Sequence, residues 1–219
     1  MASATSMAAV TLIRGADLVA TPWKNGGGLT REVAAFPEGA GLDAFVWRVS
    51  IAEVAQAGPF SRFAGIDRTL ALLSGAGMLL DEASGAGGSQ GTDMTTHALT
   101  QALDLARFPG EAKIEARLVD GPTRDFNLMV RRGVALGETE VWRGESDHAL
   151  SADVALLFCA SGTVDVALGG GDHARAHTHT HTHTLTTNDT LWIDAPNALP
   201  CAITGAGALL AISILYAPR

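Results

Sequence analysis

Residues 71–77 have the sequence ALLSGAG, and residues 155–162 have the similar sequence ALLFCASG. In each run an apolar segment of strand length ends in small residues and glycine, which is typical of a β-strand followed by a turn. Two further pairs follow in the same order, residues 97–100 and 183–186 (HALT and HTLT) and residues 108–109 and 195–196 (FP and AP). The partners are all about 85 residues apart, which predicts a duplicated β-rich unit. The alternative is chance similarity in a chain rich in alanine and glycine.

The rest of the chain has the same character. Its 25 glycines and 8 prolines separate short segments of β-branched, aromatic and leucine residues, which predicts an all-β fold. A helix is an alternative only for residues 67–73 and 111–118. The predicted strands are residues 11–13, 29–35, 45–52, 68–73, 77–81, 98–103, 114–118, 126–131, 155–160, 163–167, 190–193 and 209–215, with 138–142 as a further candidate.

Composition excludes several classes of function. The formal charge of -8 disfavours binding to nucleic acid or to an anionic membrane surface. A hydrophobic content of 47% lets 219 residues bury a core without disulfides, and Cys159 and Cys201 lie in apolar runs as expected for buried free thiols. No segment has the length of uninterrupted apolar residues that spans a membrane, so we expect a cytoplasmic protein.

A low-complexity stretch, residues 169–184, carries four histidines that alternate with threonine. In an extended chain His177, His179, His181 and His183 would project to one face and could bind zinc or nickel. The alternative, which we favour, is an expanded loop, because protein metal sites usually combine ligands from several elements.

The most unusual run is WKNGGGLTRE, residues 23–32, which lacks the spacing of a phosphate-binding loop. Its three glycines allow either a simple bend or the wall of a binding site. In the second interpretation Trp23 and Asn25 lie at the lip of the site, and Thr30 and Glu32 point to one side.

Two arginines lie in apolar strands. Alternation in residues 45–51 places Arg48 and Ser50 on the face opposite the aromatic residues, and Arg68 begins another apolar strand. The two arginines could clamp a carboxylate if their strands are neighbours. Alternatively, each pairs with an internal acid, for which the candidates are Asp67, Glu32 and Asp125. Asn127 shares a strand face with Asp125 and could orient a ligand.

Four runs together resemble the HutD/Ves family: residues 23–32, then FVWRVSIA (45–52), GPFSRFAGIDRTL (58–70) and GPTRDFNLMVR (121–131). The resemblance is dense from about Trp23 to Arg131 and looser afterwards. It implies a bicupin, two RmlC-like jelly-roll barrels in one compact chain, here residues 1–132 and 133–219. It also implies a role in histidine utilisation, where HutD-like proteins are thought to tune the pathway by binding an acidic intermediate such as formylglutamate.

Cupins usually hold a metal through histidines and a glutamate. If Gly75 ends the first cupin motif, those ligand positions fall near Ser61, Phe63 and Arg68, none of which suits a cation, and no histidine follows residues 108–110. We therefore expect no metal or other cofactor in the first barrel.

These observations place the predicted site in the first barrel and leave the second as a degenerate packing partner. The predicted ligand is a small anionic metabolite. The predicted ligand-binding residues are Trp23, Asn25, Thr30, Glu32, Arg48, Ser50, Ser61, Phe63, Arg68 and Asn127. A regulator that binds this ligand is favoured over an enzyme, because the sequence shows no activated nucleophile. The alternative is a metal-independent enzyme that acts on a small carboxylate, with Glu32 or Asp125 as the base. A homodimer is one assembly that the sequence allows.

Overall fold

The computed structural model describes residues 8–83, 94–169 and 181–218. Antiparallel β-strands form nearly all of the regular structure, with one short 3-10 turn at Gly15–Asp17, so the all-β prediction is confirmed. The chain divides into an N-terminal unit, residues 18–136, and a C-terminal unit formed by residues 137–219 together with residues 1–17. In the described part of the chain no helix is long and apolar enough to span a membrane.

The N-terminal unit is a jelly roll of the cupin type, with two antiparallel sheets. One sheet has the strand order β2-β3-β4-β11-β6-β9, and the other has the order β5-β10-β7-β8. Their bounds are β2 Ala20–Pro22, β3 Gly28–Phe36, β4 Trp47–Val54, β5 Gly58–Pro59, β6 Ile66–Ser74, β7 Met78–Ala83, β8 Met94–Leu99, β9 Leu105–Pro109, β10 Lys113–Leu118 and β11 Thr123–Arg131.

The C-terminal unit is a second cupin-type jelly roll. Its sheets have the orders β1-β17-β14-β19-β12 and β13-β18-β15-β16. The bounds are β1 Val10–Ile13, β12 Ala135–Arg143, β13 Ser146–Leu150, β14 Val154–Ser161, β15 Thr163–Leu168, β16 His181–Thr186, β17 Thr190–Asp194, β18 Leu199–Thr204 and β19 Ala208–Tyr216.

The two units share one pairing scheme, which supports the predicted duplication. The order β4-β11-β6-β9 of the first corresponds to β12-β19-β14-β17 of the second, and β5-β10-β7-β8 corresponds to β13-β18-β15-β16. The register of β8 on β7 agrees with that of β16 on β15, since His97 lies opposite Leu80 and His183 lies opposite Val166. The sequence match between residues 97–100 and 183–186 therefore joins equivalent strands.

Several details differ from the sequence predictions. The predicted division at residue 132 left residues 1–17 with the first barrel, whereas β1 pairs with β17 of the C-terminal unit. The two segments for which a helix was an alternative are strands, β6 and β10. The predicted strand 98–103 is wrong, because β8 ends at Leu99 and the chain turns through Leu103, whose φ is 71°. Strand β9 follows this turn and was not predicted.

Each unit encloses an apolar cluster between its sheets. In the N-terminal unit the cluster includes Leu70, Leu72, Met78, Leu80 and Phe108. In the C-terminal unit it includes Leu157, Val166 and both cysteines, which are free thiols. Because successive side chains of a strand alternate between faces, the residues that share a face with these clusters also point into the interior.

Candidate ligand site in the N-terminal unit

Five polar side chains of the N-terminal interior lie on three adjacent strands, β4, β11 and β6. Arg48 and Arg68 both pair with Met129, and two residues further along the strands Ser50 and Leu70 both pair with Asn127. Asp125 follows on the same face of β11, opposite Leu72. We call Arg48, Ser50, Arg68, Asp125 and Asn127 the polar lining. All except Arg48 are buried, and only about a tenth of the Arg48 side chain is exposed.

Arg68 is the central cation of the polar lining and is only 7% exposed. Its guanidinium carbon lies 5.2 Å from the ring centre of Phe108, 5.3 Å from that of Phe60 and 5.7 Å from that of Phe63. Such contacts stabilise a cation through the negative face of the ring. Burial lowers the pKa of Arg68 to about 10, opposed by the charge of Asp125 and assisted by that of Arg48. The guanidinium is therefore still protonated at neutral pH.

The hydrogen bonds of Arg68 are long. Its Nε donates to Oδ1 of Asn127 at 3.5 Å, and its Nη1 donates to the carbonyl oxygen of Ser61 at 3.4 Å. Strong bonds from a guanidinium to an oxygen are 2.7–2.9 Å long. Arg68 is thus held mainly by aromatic rings, and its N–H groups can form stronger hydrogen bonds with an anion.

Arg48 already has an acidic partner. Its Nε donates to Oε2 of Glu32 at 2.7 Å, and its Nη1 donates to the hydroxyl of Ser50 at 3.1 Å. The Glu32 side chain is 45% exposed, so this ion pair lies at the solvent side of the polar lining. The sequence alternative in which an arginine pairs with Glu32 therefore holds for Arg48, while Asp67 pairs with Arg132 instead.

Asp125 lies at the buried end of the polar lining and is 2% exposed. Its Oδ2 atom is buried and makes no hydrogen bond within the described residues. Burial raises the pKa of Asp125 to about 7, although the positive charge of Arg68 acts in the opposite direction. The neighbouring inward residue, Thr123, also has a buried hydroxyl without a hydrogen bond in the described part of the chain. This end of the interior thus has unused capacity for hydrogen bonds.

The glycine run places Trp23 beside the interior. Trp23 Nε1 donates to the Thr30 hydroxyl at 2.8 Å, and its side chain packs against the apolar cluster. Gly28 permits this packing, because a Cβ atom there would overlap the Glu53 carbonyl oxygen and lie 3.1 Å from the Trp23 ring. Asn25 is exposed, and its Oδ1 accepts from Gly27 N at 3.0 Å, as in an Asx turn.

The structure brings most of the predicted site residues together, but with roles that differ from the expected ones. Arg48 and Arg68 do not lie on neighbouring strands, since β11 separates β4 from β6. Ser61 approaches Arg68 through its backbone carbonyl rather than its hydroxyl, because the residue lies in the segment that leads into β6. Asn25 is exposed and uses its side chain in a turn with Gly27.

The predicted set of ligand-binding residues lacks two aromatic residues and one acid that lie around Arg68. Phe60 and Phe108 were not included, and only the pairing of β9 with β6 places Phe108 opposite Arg68. Asp125 was considered only as a base or as an arginine partner. Its shared strand face with Asn127 was the available signal.

The histidine stretch falls largely outside the described residues, since His177 and His179 are not among them. His181 and His183 lie in β16, where burial and the neighbouring His181 lower the pKa of His183. Within the described residues no group of three or more histidine, cysteine, aspartate or glutamate side chains is arranged to hold a metal ion.

The positions of the C-terminal unit that are equivalent to Asn127 and Asp125 are apolar. Ala211 pairs with Leu157 as Asn127 pairs with Leu70, and Leu209 pairs with Cys159 as Asp125 pairs with Leu72. All four residues of the C-terminal unit belong to its apolar cluster. Of the two interiors, the N-terminal one therefore offers the polar groups for a small ligand.

A family model described as HutD matches residues 15–211. The chain belongs to the HutD family. It is 36% identical over 169 residues to an uncharacterized 21.2 kDa protein in the hutC 3′ region of Pseudomonas putida, an alignment that covers 77% of this chain and 83% of the relative. The protein Ves of Escherichia fergusonii is 41% identical over 110 residues, about half of each chain.

The solved structures extend this family relationship to the fold. The structure of HutD from Pseudomonas fluorescens SBW25 in a formate condition superimposes with a TM-score of 0.75 and 30% identity, covering 96% of this chain and all of that one. The HutD resemblance found in four sequence runs is thereby confirmed over nearly the whole chain, including the looser second half.

Proposed function

We propose that the N-terminal unit binds a small acidic metabolite through the polar lining, and that this binding regulates histidine utilisation. The observation that carries the proposal is the state of Arg68, a protonated guanidinium that is buried among three aromatic rings with only long hydrogen bonds.

A buried charge is costly unless it has a close partner. Glu32 supplies such a partner to Arg48 at 2.7 Å, whereas the acid that acts on Arg68, Asp125, does so without a hydrogen bond between the two side chains in the described structure. A carboxylate from a ligand can accept two parallel hydrogen bonds from one guanidinium. Arg68 therefore gains more from such a ligand than Arg48 does.

The surrounding groups match a small carboxylate that also carries polar and apolar parts. Ser50 and Asn127 offer a hydroxyl and an amide next to the guanidinium groups, and Phe60, Phe63 and Phe108 offer apolar surface. Few polar groups in an otherwise apolar interior are typical of small-molecule sites.

The family supports a ligand from histidine breakdown. The Pseudomonas putida relative takes its description from the hutC 3′ region, and the family model carries the HutD name. Formylglutamate has two carboxylates and an amide, and it is the ligand that we propose. Urocanate and histidine are the competing candidates from the same pathway.

Isothermal titration calorimetry with formylglutamate, urocanate and histidine tests this proposal. A hydrogen bond to a charged group contributes about 1.5–3 kcal/mol, so Arg68→Met should weaken binding by about 10-fold to 150-fold. Arg107→Met is the matched control, because Arg107 is exposed on the adjacent strand β9. We expect it to bind as the unaltered protein does. The binding proposal fails if none of the three compounds binds, or if both variants bind equally well.

The regulatory part needs a measurement in cells. A strain whose own protein carries Arg68→Met should express histidine-degrading enzymes at the level of a deletion strain when grown on histidine. Expression equal to that of the unaltered strain would contradict a regulatory role for ligand binding.

A further inference from the structure

Asp125 is a buried acid with a carboxylate oxygen that neither arginine binds in the described structure. It is an acid in the same interior as the proposed anion site, and the backbone places it on the same face of β11 as Asn127. Inward residues of one strand are about 7 Å apart, so a ligand on Arg68 and Asn127 extends readily to Asp125. The Oδ2 atom that has no hydrogen bond in the described structure is the group that such a ligand would meet.

The charge balance of the interior determines what Asp125 must do when an anion binds. The ionisable side chains that face this interior are Glu32 on β3, Arg48 on β4, Arg68 on β6, Glu82 on β7, His97 on β8 and Asp125 on β11. Glu32 pairs with Arg48, and Glu82 lies 2.9 Å from His97 in a contact that is separate from Arg68. Arg68 and Asp125 remain, and together they are neutral only while Asp125 is ionised.

A carboxylate that enters next to Arg68 takes over the role of Asp125 as counter-ion. The interior would then hold two negative charges against one positive charge unless Asp125 binds a proton, because like charges in a buried site cannot both stay ionised. Once protonated, the carboxyl group has an O–H that can donate a hydrogen bond to the ligand.

We infer that Asp125 is a ligand-contacting residue, and that the site takes up an anion together with one proton. The proton resides on Asp125, whose O–H donates a hydrogen bond to an acceptor oxygen of the ligand. This inference rests on the proposed function. The inferred contact with Asp125 restricts the proposed ligands to carboxylates that carry a second hydrogen-bond acceptor, such as an amide oxygen or another carboxylate.

Proton exchange of this kind falls in an accessible pH range. In the ligand-free protein, burial raises the pKa of Asp125 to about 7. The charge of Arg68 acts in the opposite direction and lowers this pKa. Above pH 7 the free protein has Asp125 ionised, so binding must draw a proton from solution. The affinity should therefore fall about tenfold for each pH unit above 7.

Calorimetry in paired buffers measures this proton directly. We would titrate formylglutamate at pH 8 in phosphate and in Tris, whose ionisation enthalpies differ, and we expect uptake close to one proton per ligand. At pH 5.5 the uptake should be close to zero. Asp125→Asn should abolish the uptake at pH 8 and remove the pH dependence of affinity.

His97→Gln is the control, because His97 is an ionisable side chain that faces the same interior and contacts Phe108. This variant should keep the proton uptake. The inference is overturned if the unaltered protein binds without proton uptake at pH 8, if uptake persists in Asp125→Asn, or if it disappears in His97→Gln. The measurement on unaltered protein and on His97→Gln decides the matter even if Asp125→Asn does not fold. Absence of any binding would instead overturn the proposed function, and this inference with it.

Discussion

Arg48 and Arg68 lie opposite the same residue, Met129, one on each side of the central strand β11. Neighbouring strands are 4.7–4.9 Å apart, so the two Cα atoms are separated by about 10 Å. The charge of Arg48 lowers the pKa of Arg68, and the charge of Arg68 lowers the pKa of Asp125. The charges of Arg48, Arg68 and Asp125 are thus coupled. Glu32, the exposed partner of Arg48, lies at one end of this series, and the buried Asp125 lies at the other.

Asp125→Asn should change how folding stability depends on pH. The folded-state pKa of Asp125 is raised to about 7 by burial, so its protonated form favours the folded state. Its contribution is fully present below the unfolded pKa, near 4, and is lost as pH rises through 7, at about 1.4 kcal/mol per pH unit. Above pH 7 no further loss is expected from this group.

Urea unfolding of both proteins between pH 4 and pH 9 measures this difference. The stability of Asp125→Asn relative to the unaltered chain should rise between pH 4 and pH 7 and then level off. Parallel curves over the whole range would show that Asp125 is ionised in the folded protein at acidic pH.

Gly28→Ala should destabilise the protein by more than about 2 kcal/mol, because the new Cβ would overlap the backbone carbonyl of Glu53 and displace Trp23. Gly27→Ala is the matched control, since its Cβ would lie 3.3 Å from the Asn25 side chain, which can move. Thermal unfolding compares the two, and near-ultraviolet circular dichroism reports on Trp23. Equal losses in the two variants would contradict the close packing assigned to Gly28.

Asp189→Ala should destabilise the C-terminal unit by about 2–4 kcal/mol, because it removes four hydrogen bonds from a buried carboxylate. Asp189 accepts from Arg14 Nη1, Gly15 N, Thr186 N and Thr186 Oγ1 at 2.8–3.0 Å. Asp194→Ala, which removes one exposed bond to Trp192, should cost less than about 1 kcal/mol. Denaturant unfolding measures both, and a loss of similar size in the two variants would contradict the prediction.

The pKa of Asp189 gives the pH dependence of that contribution. Burial alone would raise the pKa, but hydrogen bonds from Thr186, Gly15 and Arg14 outweigh burial and lower it. The stabilisation is therefore present above the unfolded pKa of about 4 and is lost as pH falls through the folded pKa.

Cys159 and Cys201 should not react with thiol reagents in the folded protein at pH 8. Burial raises the pKa of Cys159 to about 11 and that of Cys201 to about 12, so almost no thiolate is present. Ellman's reagent should detect no rapidly reacting thiol in the native state and two after unfolding in guanidinium. Rapid native labelling of either cysteine would contradict its burial.

Local patterns predicted the elements well wherever alternation and turn residues agreed. The segment 45–52 has an aromatic or aliphatic residue at every second position, and the structure places Trp47, Val49 and Ile51 on one face of β4 and Arg48 and Ser50 on the other. Short strands such as β9 lacked this signal. Their pairing depends on a neighbour that is distant in sequence.

The amino-acid sequence by itself determined the all-β fold, the repeat and the set of polar residues on apolar strands, because alternation and glycine turns act over a few residues. Only the tertiary structure decided that β11 separates the two arginines, that Phe108 lies opposite Arg68, and that Asp125 is a buried acid on the same face as Asn127. These relationships join strands that are distant in sequence, and their register is set by which faces the whole unit can bury together.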